Sequence, residues 1–560
     1  MTIGAGVRVD PITTEIIRNA FISAAHDMNA TLIRSAYTPV IYEMKDCAVA
    51  LLDGDHAVLG QSLGVPLFLG NLEICTKLTE ERFGRDVWQP GDVWIMNDSY
   101  LTGTHLPDQT VFAPIFYEGE LAGFSASRAH WLDIGAKDAG PVTDSTSIFQ
   151  EGLRLGPTRV MEKGVLREDI IDILSRNSRF PEASIGDLNA QIAVTRTGER
   201  RLGEIFARFG REVVLAARDE IFAQSERLDR EALAAIPEGV YEAKGCLDND
   251  AISDEPVWVH VRVEIVSGEM VVDLTGSADA TQGPINCGEA QALSACRLAF
   301  KLLIGPDRPV NGGTFRPLAV NIRPGSIFAA APPSACEWYF SSLGLLIDLI
   351  VRALSPVLPA EVAAAHYGDS MVSIFTGMDE VRDAPFICAE PHLGGWGGWD
   401  GGDGEDALIN SVNGALENIP IEIIETKYPL RITRYGYRRD SAGPGRWRGG
   451  CGTIREYVIE SDGVWVSLWF ERSKTPAWGL HGGKEASTPD VTINPGSSTE
   501  RHLLKASRIT LERGDVVRLE TGGGGGFGDP ELRHPAAIEA DLAAGLVSPE
   551  TARSQYGRHP

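Results

Sequence analysis

Residues 91–141 read GDVWIMNDSYLTGTHLPDQTVFAPIFYEGELAGFSASRAHWLDIGAKDAGP, and the fold reading turns on them. Val111–Phe116 and Leu121–Ser127 are two short β-branched or aromatic runs joined by Tyr-Glu-Gly-Glu, the signature of a hairpin. A hairpin returns its second strand to the edge where its first began. His130 is therefore expected near His105 and Asp108, which themselves form a His-x-x-Asp pair. Two imidazoles and a carboxylate suit a divalent first-row metal and leave coordination positions open for water or substrate. On spacing alone the plainer alternative stays open, a histidine at a strand end satisfied by its own hydrogen bonds.

Upstream, Asp10-Pro11 opens a helix, with Asp10 as cap, and Thr13–Ser35 carries apolar residues at helical spacing. Tyr42–Asp53 is an apolar strand with a carboxylate, Asp46, at its start; Asp53-Gly-Asp-His56 turns it into Ala57–Gln61. Asn71–Phe83 is helical, and Ser145–Leu155 reads as a plain surface turn. Ser184–Ala234 reads as two helices broken near Gly210.

The pattern changes at Pro237. Gly239–Asn249, Val257–Val266 and Glu269–Thr275 alternate as antiparallel strands, with helices at Gly288–Leu303 and Trp338–Leu354 and a strand at Leu318–Ile322. Strands follow at Glu422–Glu425, Leu430–Tyr437, Thr453–Ile459, Val464–Glu471, Val491–Ile493 and Val516–Glu520. The fold class is α+β (mixed α/β): an N-terminal metal-binding α/β region over 1–235, a β-rich region with several helices over 236–530, and a helical, polar C-terminal tail over 531–560. The MTIGAGV start and the Arg-His-Pro end are expected to be loose.

Composition excludes several classes. With Asp+Glu 77 against Lys+Arg 51 and a net charge of -26, the surface repels nucleic acid and anionic membranes. The eight cysteines are scattered without a C-x-x-C pair, the pattern of reduced thiols; Cys287 and Cys296 have no histidine beside them and read as buried hydrophobes. No signal peptide or spanning segment is evident, so a cytoplasmic protein is expected. The run Gly394–Gly404 lacks the Lys-Ser/Thr ending of a phosphate loop and reads as a flexible loop beside a cavity. Gly522–Gly526, five glycines in succession, either meets another backbone closely or lets the chain cross over. With no nucleotide fingerprint, any ATP chemistry falls to another chain.

Seven ordered blocks carry a resemblance: IRSAYTPVIYEMKDCAVALLD, GDVWIMNDSYLTGTHLPDQTVFAPIF, RAHWLDIG, IFQEGLRLGP, RPVNGGTFRPLAVNIRPGSIF, ALENIPIEIIETKYPLRITRYGYRRDSAGPGRWRGGCGTIREY and TGGGGGFGDP. Together they resemble the B-type subunit of the hydantoinase/5-oxoprolinase family, which includes ATP-dependent hydantoin and lactam hydrolases and the acetone and acetophenone carboxylases. The resemblance implies Asp46, His105, Asp108 and His130 as ligands of one divalent metal, Zn or Mn. It implies a larger A-type partner that uses ATP to phosphorylate the substrate, a possible small third subunit, and a hetero-oligomer. Water activated at the metal would then open a hydantoin, oxoproline or lactam. The alternatives are a ketone carboxylase subunit and a non-catalytic scaffold; hydrolases form the commoner branch. The resemblance also sets the Gln-Glu-Gly loop near the active site.

Asn97, Asp98, Arg128 and Asp133 flank the ligands as supporting or catalytic candidates, with Asp133 suited to orient an imidazole. Each is equally a candidate for a loop hydrogen bond. Several family members carry a second histidine after the ligand histidine, where this chain has Trp131. That change removes a proton shuttle and predicts an aromatic wall.

Overall fold

The computed structural model describes residues 9–557. Its N-terminal part is built on one antiparallel sheet whose seven strands lie in the order β2-β1-β5-β4-β3-β6-β7. In chain order these are β1 (Cys47–Asp53), β2 (Val58–Gln61), β3 (Val93–Met96), β4 (Asp108–Tyr117), β5 (Glu120–His130), β6 (Thr158–Glu162) and β7 (Val165–Leu166). The β4–β5 turn places Glu118 at φ 52° and Gly119 at φ 83°. Two successive positive φ values match the twist of a two-residue hairpin turn. From there the register runs to Asp108 opposite His130.

Every residue of β1 is buried, because both faces of the sheet are covered. Cys47, Val49 and Leu51 pack under the helices Pro11–Ser35, Pro181–Phe209 and Arg211–Ala234. Ala48, Ala50 and Leu52 face the main core, which continues without a break into residues beyond 235. The break between the two long helices falls at Gly210, with φ 81°, as its position in the sequence predicts.

A four-stranded sheet follows, in which Leu318–Asn321 pairs parallel to Glu269–Asp273. Against it lies the Tyr339–Leu354 helix, buried almost all round and mostly apolar, with its buried Ser341, Ser342 and Asp348 each held by a polar partner. Val372–Asp379, Ala384–Pro391, Val464–Trp469 and Lys505–Leu511 make a third sheet, and Leu430–Tyr437, Thr453–Ile459, Asp490–Ile493, Arg501–His502 and Val516–Glu520 a fourth.

Two expectations fail here. Glu422–Glu425 is not a strand: Ile421–Lys427 is a helix that buries only Ile424, and Thr426 donates back to the Glu422 carbonyl at 2.6 Å. Its run of β-branched isoleucines carries no information on periodicity in so short a segment. Nor is Gly394–Gly404 a flexible loop. Gly395 donates to the Gly522 carbonyl at 3.1 Å, Gly398 to Gly525 at 2.9 Å, and Gly524 to Gly450 at 3.0 Å. The glycine runs thus form a layer of backbone stacked on backbone. At Gly524 a Cβ would overlap the Trp396 carbonyl, so only glycine permits the approach.

The C-terminal helices Pro535–Ala544 and Pro549–Tyr556 close the chain as expected. The start and the Arg-His-Pro end, the two segments expected to be loose, lie outside the described residues. Among the described residues no helix is long and apolar enough to cross a membrane.

Candidate metal centre

The neighbouring strands β1, β5 and β4 bring their ligand-bearing ends to one edge of the sheet. Alternation sets the face: His130 follows Phe124, Ala126 and Arg128 on the main-core side, and Asp108 precedes Phe112 there. Asp46, one residue before β1, accepts the His130 backbone N–H at 3.1 Å.

Three side-chain atoms converge. His105 Nε2 lies 3.0 Å from Asp108 Oδ1 and 3.0 Å from His130 Nδ1, and His130 Nδ1 lies 3.1 Å from the same carboxylate oxygen. Asp108 is wholly buried, and the two imidazoles are 5% and 8% exposed. His105 Nδ1 lies 3.0 Å from the Glu337 carbonyl oxygen, which can only accept. That contact fixes the tautomer, so a neutral His105 turns the Nε2 lone pair towards Asp108 and His130. A proton on His130 Nδ1 or on His105 Nε2 satisfies these contacts, and so does a shared cation. Burial works against charge on His105, but the Asp108 and Glu337 carboxylates beside it hold its pKa well above the ordinary value. A divalent ion answers the same demand, and the two-His, one-carboxylate donor set fits one.

Asp46 is not within this three-atom cluster, although its side chain lines the same cavity as His105 and His130. Burial pushes its carboxyl up to about 6, against the pull of His130. The cavity, ≈ 70 Å³, is walled mainly by Val40, Met44, Phe68, Trp338, Phe340 and Val372, with Ser370, Glu390 and Asn413 as further polar groups. Trp131 is not in that wall. The residue after His130 points to the opposite face, where the Trp131 indole donates to Gln191 at 2.9 Å.

The flanking candidates hold loops and strands. Asn97 donates to the Leu106 and Leu153 carbonyls at 2.7 and 2.9 Å and accepts from Leu155 N at 2.6 Å, clamping the segment that carries His105. Asp98 caps the Ser99–Thr102 turn of helix by accepting from Tyr100 N. Asp133 binds Arg179 rather than an imidazole, accepting from its backbone N at 2.5 Å and its guanidinium at 2.6 Å. Arg128 is fully buried one pleat behind His130, donating to Thr110 Oγ1 and Asn71 Oδ1, both at 2.7 Å.

Groups with no motif complete the site. Tyr339, at the start of the buried helix, donates its hydroxyl to Asp108 Oδ2 at 3.1 Å. Glu337 is the real partner of His105, and Glu151 anchors the segment behind it. Glu151 accepts from Ser145 Oγ at 2.7 Å, Cys336 N at 3.0 Å and Glu337 N at 3.1 Å. The Gln-Glu-Gly loop is therefore no plain surface turn. Its position near the centre was legible only through the family resemblance; Glu337 and Tyr339 had no local signal at all. All eight cysteines are buried, and burial raises the Cys287 and Cys296 thiols far from reactive values.

Comparison with known proteins places the whole chain among related sequences and structures. The B-type subunit of a putative D-/L-hydantoinase from Pseudomonas sp. (strain NS671) is 32% identical, over 98% of this chain and 95% of that protein. The crystal structure of an ATP-dependent caprolactamase from Pseudomonas jessenii superposes with TM-score 0.92 at 28% identity, covering 99% of this chain and 97% of that one. A nucleotide-free acetone carboxylase structure shares the fold, with TM-score 0.88 at 20% identity, covering 98% of this chain and 79% of that one. The hydantoinase B/oxoprolinase family model matches residues 10–530, so this chain, with its mixed α/β scaffold, belongs to the hydantoinase B/oxoprolinase family.

Proposed function

We propose that this chain is the metal-dependent subunit of an ATP-dependent amidohydrolase that opens a cyclic amide, a hydantoin, oxoproline or lactam. The observation that carries the reading is the convergence of His105 Nε2, Asp108 Oδ1 and His130 Nδ1 beside a mainly apolar cavity that both histidines line. These three residues, with Asp46 as fourth ligand, would hold one Zn or Mn ion. Such an ion supplies Lewis-acid polarisation of a carbonyl and activation of water.

The remaining work falls to the chain's own residues. Glu337 keeps the His105 lone pair aimed inwards, and Tyr339 fixes the rotation of the Asp108 carboxylate. Arg128 contributes a buried cation behind His130, and Asn97, Asp98 and Asp133 hold the loops around the ligands. The apolar wall and the burial of the three residues lower the local dielectric, which strengthens the electrostatic contacts among them. A resonance-stabilised amide still needs activation. An A-type partner that spends ATP would supply it by phosphorylating the substrate, because this sequence has no nucleotide-binding fingerprint. A third small subunit would complete such a hetero-oligomer. Apolar walls also suit a ketone, so the carboxylase reading predicts the same lining.

The test is elemental analysis of the purified protein beside His105→Ala and Asp46→Ala, followed by ATP-dependent assays with the partner. About one equivalent of Zn or Mn, lost in both variants, with ring-opened product supports the reading. Bicarbonate-dependent carboxylation instead selects the carboxylase. A wild-type protein that takes up no metal even on reconstitution sinks both and leaves a scaffold.

A further inference from the structure

Away from the metal centre, the loop after the buried helix brings together a serine, a histidine and an aspartate. Ser411 Oγ lies 3.0 Å from His366 Nε2, and His366 Nδ1 lies 2.9 Å from Asp348 Oδ1. The three come from distant places: Asp348 from the Tyr339–Leu354 helix, His366 from the segment after it, and Ser411 from the segment after the Gly394–Gly404 run. All three are 4–8% exposed, and all three line one cavity of ≈ 120 Å³. None of them lines the cavity of the metal centre. The Ser411–Asn413 segment separates the two, with Ser411 in the wall of one and Asn413 in the wall of the other.

From this geometry we propose a second, metal-independent site, in which Ser411 is an acyl-accepting nucleophile, His366 its base and Asp348 the carboxylate that orients the base. A serine hydroxyl is a weak nucleophile until an adjacent base takes its proton, and the base acts best when a third group holds it. Asp348 is itself held, because Arg472 pairs with its second oxygen. Arg472 adopts φ 70°, a conformation uncommon outside glycine, and its guanidinium passes where a side chain at position 368 would be, a space left open by Gly368. The His366 Nδ1–H is not aimed in line with Asp348. The proposed role requires the ring to turn towards Asp348 Oδ1, 2.9 Å away, when substrate enters.

Leu302, Leu303, Ile347, Val351 and Trp396 supply apolar walls, and Gly397 brings bare backbone to the cavity. The substrate class is an ester with a short apolar acyl group. Ser411 Oγ attacks the acyl carbonyl carbon as its proton passes to His366 Nε2. The bond to the leaving alkoxide breaks, and His366 returns the proton to that oxygen. Water repeats the sequence and releases the acid, leaving Ser411 free.

The test treats the purified full chain with a fluorophosphonate probe and with p-nitrophenyl butyrate, before and after chelator. The expected result is one covalent adduct on Ser411 by peptide mass spectrometry and ester turnover that survives the chelator. Ser411→Ala should lose the adduct, with metal content unchanged. His366→Gln should slow labelling by roughly 100-fold or more, the span of general-base catalysis. Thermal melts identify variants that fail to fold, and Asp348→Asn supplies an independent variant with the same expected direction. No adduct on folded wild-type protein, or an adduct that persists in Ser411→Ala, overturns the proposal. Turnover abolished by chelator overturns it as well, because it assigns the activity to the metal centre.

Discussion

The sheet edge carrying His105, Asp108 and His130 and the glycine layer around Gly524 solve opposite problems. At the edge, backbone hydrogen bonding is routine, and the work is done by side chains that a period-2 strand delivers to one face. In the layer side chains are excluded, and the backbone itself is the packing surface. One region depends on which groups its side chains carry. The other tolerates no added atom of any chemistry.

Substitutions separate the two. His105→Ala should leave the melting temperature near that of the wild type and lower ATP-dependent turnover by on the order of 10³-fold or more, read in a steady-state assay with the partner. Gly524→Ala should do the reverse, costing about 3 kcal/mol of stability because the new Cβ meets the Trp396 carbonyl. Denaturant unfolding checks it. A Gly524→Ala protein as stable as the wild type would show that the layer yields.

Behind the ligand-bearing edge lies a buried titratable carboxyl, Glu151. Burial, with Glu337 beside it, pushes the Glu151 carboxyl up to about 8, although three donors favour its ionised form. Its unfolded value is about 4.3. The folded state therefore binds the proton more tightly, and this contribution is full at low pH and lost as pH rises towards 8. Between pH 6 and 8 the loss is on the order of 2 kcal/mol. Glu151→Gln, neutral throughout, should flatten that part of the stability–pH curve; an unchanged slope would assign it elsewhere. The smallest effect is expected from Tyr339→Phe. Losing its hydrogen bond to Asp108 should weaken metal affinity roughly tenfold, measured by competition with a chromophoric chelator.

The same contrast explains what could be read in advance. The hairpin was legible because turn, alternation and register are all local, and with them came the proximity of His130 to Asp108. Trp131 was misassigned by one step of that alternation: adjacent residues on a strand face opposite ways. Ile421–Lys427 was too short to show a period. The glycine layer was half legible, since Gly522–Gly526 announces a close backbone approach but not the identity of its partner. Glu337 and Tyr339 were invisible because no spacing rule links them to His105. The Ser411, His366 and Asp348 arrangement was hidden for the same reason.

The contact between His105 and Glu337 joins positions 232 residues apart. During synthesis, at roughly 5–20 residues per second, the hairpin leaves the ribosome on the order of ten seconds or more before Glu337 exists. Until then the His105 ring has no carbonyl to fix its tautomer, and Asp108 has no tyrosine to hold it. A nascent chain therefore displays His105, Asp108 and His130 long before they form a cluster of defined geometry. The geometry of this cluster thus belongs to the finished fold, and its completion marks a chain whose two halves have met.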